Sequence, residues 1–363
     1  MELSFLHSAL PAGRRRAVRA GLWLLAALVA ASIVACALLL SERTAGSTLS
    51  VVLPTVLPTV LPIVLPIAVS TLSASLIFAR VRLVRAARVP WALFGFGILA
   101  GLAGNLYAAA VLPQLDPQPF PSLADLCWLG AFPLFYIGIA LLLRAQVVHW
   151  HASTWLDGLV ASCGLGALAI ALVFTKVLVP GRGGTEQVAT ALAYPVADLL
   201  LGVLVVGALG ALGALGALGV MGWRVGAPWW LIFASLGCSV LANVAFLLQT
   251  AAGTYRIGGW LDVAWTVGAA LSASAAWTRN PGRPPRAMGD WALLAVPLLF
   301  AATSVALLMV SGLSSDPGDR LVVWLAGATI CLALARTTLT LREVRSLGEA
   351  RRQARTDDLT NLP

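Results

Sequence analysis

Charge is what this sequence has least of. Asp, Glu, Lys and Arg make up only 11% of its 363 residues, while 60% are hydrophobic. Ordinary soluble domains carry roughly a quarter charged residues. So apolar a chain cannot cover a water-facing surface, and lipid is the expected solvent for most of it. Lysine is almost missing: Lys176 stands alone beside 23 arginines. The Arg-, Ala- and Gly-rich composition fits a high-GC bacterial gene, by codon usage rather than physics. Cysteines are few and scattered. Cys36, Cys127, Cys163, Cys238 and Cys331 all fall inside apolar runs, which speaks against a disulfide or metal framework and for small buried hydrophobes.

The usual signatures of chemistry are absent too. There is no GxGxxG fingerprint, P-loop, GxSxG elbow or HExxH pair, so no catalytic residue and no metal site is expected within these residues. His149 and His151 flank Trp150, but two histidines without a third ligand read as an interfacial loop. The net charge of +9 does not indicate nucleic acid as a partner. The basic residues sit in short clusters between apolar runs, as topology determinants do, and form no single basic face.

What is present is one hydrophobic run after another. Runs of helix length centre on 21–40, 60–79, 90–112, 125–143, 157–178, 189–210, 229–250, 258–277, 291–312 and 320–338. Each is about long enough to cross the roughly 30 Å hydrocarbon layer. The expected fold class is therefore all-α: a polytopic transmembrane helix bundle of about ten spans. Arg14, Arg15, Arg16 and Arg19 precede the first run. With no small-residue cleavage site after Leu40, that run reads as a retained helix and not a signal peptide.

Placing the N-terminus in the cytoplasm assigns 19 of the 24 basic residues to cytoplasmic segments; Arg43, Lys176, Arg182, Arg256 and Arg320 fall outside. That asymmetry predicts two cytoplasmic termini and a bacterial inner-membrane location. Trp91, Trp150, Trp155, Trp223, Trp229, Trp230, Trp277 and Trp291 lie near the predicted cytoplasmic boundaries, where indoles favour the interface. Pro113 to Ala124 holds Pro117, Pro119 and Pro121 and reads as a stiff extended cap.

Two stretches are repetitive. Val52 to Ile67 repeats a VLPT or VLPI unit, with proline at 54, 58, 62 and 66, so the second span is expected to begin near Val60. Gly207 to Gly219 is a Gly-Ala-Leu repeat, suited to close helix approach but equally to slippage of a repetitive gene. A divergent repeat says more. Pro90-Trp91 opens the third run and Asn105 follows fifteen residues after the proline; Pro228-Trp229 opens the seventh and Asn243 follows at the same distance. Asp125 with Trp128, and Asp262 with Trp265, then open the next runs at i, i+3. The pattern predicts that spans 3–6 and 7–10 are copies of one four-span unit in the same orientation.

Ionisable groups at membrane depth are costly and mark candidate sites. Asp125, Asp198 and Asp262, with Asn105, Asn243, Trp128, Trp265 and Tyr136, are the residues expected to line an outward-facing pocket for an unknown small ligand. A small cation, an amine or a planar lipophilic molecule would suit such a pocket. The bland reading of Asp125 and Asp262 is a carboxylate favoured by a helix N-terminus.

From Arg336 onward the composition turns charged, with Leu334, Leu341, Val344 and Leu347 forming a loose apolar stripe fit for a short parallel pairing. The last ten residues resemble the opening of the GGDEF domain, the diguanylate cyclase domain, which begins D-x-L-T-x-L-P-N-R. Asp357, Leu359, Thr360, Leu362 and Pro363 match that motif in order. The strings Pro121 to Asp125 (PSLAD) and Tyr194 to Asp198 (YPVAD) are similar to strings in membrane regions of actinobacterial proteins with GGDEF, often GGDEF plus EAL, output domains. The resemblance implies a parent protein that makes cyclic di-GMP from two GTP with Mg²⁺, between two juxtaposed catalytic domains. It also implies a homodimer paired through the C-terminal helix. The matched motif is structural in that family, so no catalytic residue carries over, and Mg²⁺ and GTP belong to a domain beyond this chain. The expected layout is a basic N-terminus at 1–20 and a sensory and anchoring domain at 21–338. A linker helix at 339–355 and the first residues of a truncated GGDEF domain at 356–363 complete it. A multi-span transporter of a small ligand is the alternative.

Overall fold

The computed structural model describes residues 11–45, 57–144, 227–252, 254–255, 259–278, 301–309 and 317–353, and singly 160, 163, 164, 167, 190, 193, 194, 197, 200 and 201. Among the described residues the fold is all-helical, with no strand. The long helices are α1 (Ala12–Ala45), α2 (Leu57–Leu83), α3 (Arg88–Ala110), α4 (Leu123–Arg144), α5 (Ala227–Ala251), α6 (Trp260–Ala276) and α7 (Pro317–Gln353). Six stretches among the described residues are long and apolar enough to cross a membrane: Ala12–Leu38, Ile63–Leu83, Arg88–Gln114, Leu123–Arg144, Ala227–Phe246 and Val322–Leu339. They coincide with the first four, the seventh and the last of the expected spans. In hydrocarbon no water can bond the backbone, so an uncharged run of this length satisfies its own N–H and C=O groups as a helix. The eighth expected span is α6, whose 17 residues cover about 25 Å.

The second helix runs Leu57–Leu83 and takes Pro58, Pro62 and Pro66 into its body. Pro58 costs nothing, because the first-turn N–H groups have no intrahelical acceptor. Between α3 and α4 the proline-rich segment is irregular after a single 3₁₀ turn at Leu112–Gln114.

The described residues fall into two compact units. One holds α1 to α6 with the described residues between 190 and 201; the other holds α7, residues 301–309 and the described residues between 160 and 167. In the first unit α1 packs on α2, α2 on α3, α3 on α4 and α5 on α6, and α6 also lies against α1, α2 and α3. The pairs are antiparallel. Along α3 and α4, Gly104 lies by Trp128, Gly97 by Phe135 and Gly138 by Phe94. Along α5 and α6, Asn243 meets Trp265 and Ser235 meets Ser272. When the alternative to packing is lipid, burying a ring gains little transfer energy, and close van der Waals contact does the work. Glycines facing aromatic rings provide that contact here.

Three tryptophans expected at the membrane interface are also covered by neighbouring residues of the bundle. Trp91, Trp229 and Trp277 are 4%, 2% and 1% exposed. Trp91 packs on Phe94 and Trp229 on Phe233, with centroids 5.4 and 5.7 Å apart. Trp277 donates its Nε1–H to the Leu76 carbonyl of α2 at 3.0 Å. Trp230, by contrast, stays largely exposed.

In the second unit a small core of Ala167, Val322 and Ala326 is covered by Leu307, Leu308 and Leu325. Helix α7 runs 37 residues without a break.

Candidate functional site

The polar residues of α3 to α6 form matched pairs. Near the C-terminal end of α3, Asn105 Oδ1 accepts the Trp128 Nε1–H of α4 at 3.0 Å. Near the C-terminal end of α5, Asn243 Oδ1 accepts the Trp265 Nε1–H of α6 at 2.7 Å. An indole has one donor and no acceptor, so the amide oxygen of an asparagine on the neighbouring helix is a fitting partner where water is scarce. Gly104 makes room for the first pair: a methyl there would stand 2.5 Å from Trp128 Nε1.

Both carboxylates occupy the third position of their helices, since α4 begins at Leu123 and α6 at Trp260. Asp125 is buried. Its Oδ2 accepts the Ser122 backbone N–H at 2.8 Å and the Ser122 hydroxyl at 2.9 Å. This is one half of a capping box, in which the third helical residue reaches back to the residue before the helix. Its Oδ1 accepts the Tyr194 hydroxyl at 2.9 Å. Asp262 is half-buried and accepts the Tyr255 hydroxyl at 3.3 Å. Burial first, then the Asp262 charge and hydrogen bond, push the Tyr255 hydroxyl up from its ordinary range. Phe246 stands edge-on to both Tyr255 and Trp265, at 4.7 and 5.8 Å. Tyr136 donates to the Ala197 carbonyl.

Of the eight expected site residues, the structure thus joins Asn105 with Trp128 and Asn243 with Trp265, and gives Asp125, Asp262 and Tyr136 partners of their own. Asp198 lies outside the described residues, as do His149, His151, the Gly207–Gly219 repeat and the motif residues Asp357, Leu359, Thr360, Leu362 and Pro363. Three partners went unnoticed in the sequence. The Ser122-x-x-Asp125 spacing is a capping pattern and was available to find one. Tyr194, 69 positions from Asp125, carries no local signal, and Tyr255 reaches Asp262 only through the turn between α5 and α6.

A second polar contact joins α5 to α6. Ser235 Oγ donates to the Gly268 carbonyl at 2.6 Å and lies 2.7 Å from Ser272 Oγ, fully inside the helix pair. Among the described residues no three His, Cys, Asp or Glu side chains could hold a metal ion together. The class these helices define is a multi-pass membrane-type helical bundle, in which a few polar side chains bond from helix to helix. Compared with protein-family models, curated proteins and solved structures, the chain matches none.

Proposed function

We propose that the chain is the membrane-embedded sensory and anchoring module of a cyclic di-GMP signalling protein of the diguanylate cyclase type. The observation that carries the reading is α7. Its 37 residues extend about 55 Å, against roughly 30 Å of hydrocarbon. Its apolar part, Val322–Leu339, continues as helix through the charged stretch to Gln353. A change of packing in the membrane can move such a rod as one piece. About 1–3 kcal/mol of coupling is enough for a 5–150-fold change in an output. In this proposal ten spans place both termini in the cytoplasm of a bacterial inner membrane, and α7 pairs with its copy in a homodimer. The resemblance of Asp357, Leu359, Thr360, Leu362 and Pro363 to the opening of a GGDEF domain supports the handover to an output domain. That domain would use Mg²⁺ and GTP. Reading the coding sequence past Pro363 tests this directly: an in-frame Asn-Arg and a GG[DE]EF loop are expected, and a frame without them removes the output-domain reading.

The alternative is a transporter of a small ligand, and the twin Asn–Trp and Asp–Tyr pairs favour it. They are what a duplicated four-span unit would carry, and duplicated units are common in transporters. Proteoliposomes decide between the two. Substrate flux lost in Asp198→Asn supports transport, whereas ligand binding without flux supports the sensor.

A further inference from the structure

The turn between α2 and α3 holds four arginines, Arg80, Arg82, Arg85 and Arg88, and no Asp or Glu occurs between Glu42 and Asp116. Arg80 is 7% exposed. Its Nη1 donates to the Ala86 carbonyl at 3.0 Å, and its guanidinium carbon stands 5.4 Å from the centre of the Trp91 ring. Its Nε is buried without an acceptor. Arg88 clamps the same turn from outside, donating Nε to the Val84 carbonyl at 3.4 Å and Nη2 to the Arg82 carbonyl at 3.3 Å. Between them Ala87 is held at φ 53°, a left-handed conformation that strains any residue with a side chain. Arg82, Arg85 and Arg88 are exposed around it.

A buried guanidinium with one carbonyl, one ring face and no anion is poorly compensated. The turn is preorganised at some cost in strain, and its charge is one-signed. It also stands at the end of the apolar stretch Ile63–Leu83 and the start of Arg88–Gln114, the depth at which lipid phosphates lie. We propose that this turn is a binding site for a phosphate group. The phosphate inserts at Arg80, with Arg82, Arg85 and Arg88 closing on its remaining oxygens in the forked geometry that suits guanidinium and phosphate. An anionic phospholipid headgroup and free inorganic phosphate share this chemistry.

Native mass spectrometry of the full chain in detergent, titrated with phosphatidylglycerol or phosphatidylcholine, tests the site. Preferential retention of phosphatidylglycerol is expected, and Arg80→Gln should lower it. Because Arg80 also braces the turn, the exposed pair Arg82→Gln/Arg85→Gln is the cleaner variant. It should weaken retention roughly fivefold for each guanidinium removed, with an unchanged melting temperature in phosphatidylcholine. Inorganic phosphate separates the sources: if it fails to displace the lipid, the headgroup is the ligand, and if it displaces the lipid, free phosphate occupies the same site. Equal retention of phosphatidylglycerol by the wild type and the Arg82→Gln/Arg85→Gln variant overturns the proposal. So does a lack of preference between the two lipids combined with no effect of phosphate.

Discussion

Asp125 illustrates how a single carboxylate serves a membrane helix. It closes the first turn of α4 through Ser122 and also takes the Tyr194 hydroxyl, so its charge is spread over three donors. The Asn105–Trp128 bond is the comparable device for a neutral pair. A double-mutant cycle with Asn105→Ala and Trp128→Phe, followed by denaturation in detergent, should return a coupling of about 0.6 kcal/mol and no more than about 1.7. The same cycle at Asn243 and Trp265 should agree with it, and zero coupling at both would remove the bonds as stabilising features. Tyr255 predicts a pH effect. Its folded pKa lies above the unfolded value because of burial and then Asp262. An unfolded tyrosine releases its proton near pH 10 while the folded one keeps it. The contribution is therefore complete below about pH 10 and lost as pH rises further. Between about pH 9 and about pH 11 the wild type should lose more stability than Tyr255→Phe, and equal losses would show that this hydroxyl is not linked to folding.

At the scale of elements, the α3–α4 pair depends on glycines that let aromatic rings approach the backbone. A methyl at Gly97 would meet the Phe135 ring at 2.8 Å, whereas one at Gly101 would meet nothing within 4 Å. Gly97→Ala should cost about 1–3 kcal/mol through overpacking. Gly101→Ala should be neutral, or stabilising by up to about 1 kcal/mol from helix propensity. Melting temperatures in one detergent compare them, and a Gly97→Ala variant as stable as Gly101→Ala would mean that Phe135 can swing away at no cost. The pairing of α5 with α6 works differently. There Ser235 and Ser272 meet inside the seam, and hydroxyls replace the ring-on-glycine contact.

For the whole molecule, the long α7 leads to a prediction that depends on the signalling proposal. In a chain that carries its output domain, inserting four residues after Leu341 should change cyclic di-GMP production, because it rotates the outgoing helix relative to the membrane. Inserting seven should restore the phase to within about 20° and with it the activity. Equal effects of both insertions would mean that α7 acts as a tether only. Topology is checked separately with fusions. A phosphatase placed in the 113–122 loop should be active and one fused at the C-terminus inactive; the reverse would invert the orientation argued from the arginines.

Helix class and the approximate places of six apolar spans were readable in the sequence, because a long uncharged run in lipid has only one way to satisfy its backbone. Asn105, Trp128, Asn243 and Trp265 were readable as well, since the same spacing occurs twice in the chain. Their pairing was not: only three-dimensional packing brings Asn105 to Trp128 and Asn243 to Trp265. The contacts of Trp91, Trp229 and Trp277 were equally hidden: each meets a ring or a carbonyl within the bundle. The low charge that marked the chain as lipid-solvated also hid its most constrained charged group. Arg80 counted in the sequence only as one of a cluster that orients the protein. Only the close return of α2 into α3 buries it beneath Trp91 and leaves its Nε without an acceptor. Local composition sets the solvent a segment prefers. Which polar groups share that solvent's absence depends on contacts between residues far apart in the chain, and those exist only once the helices are packed.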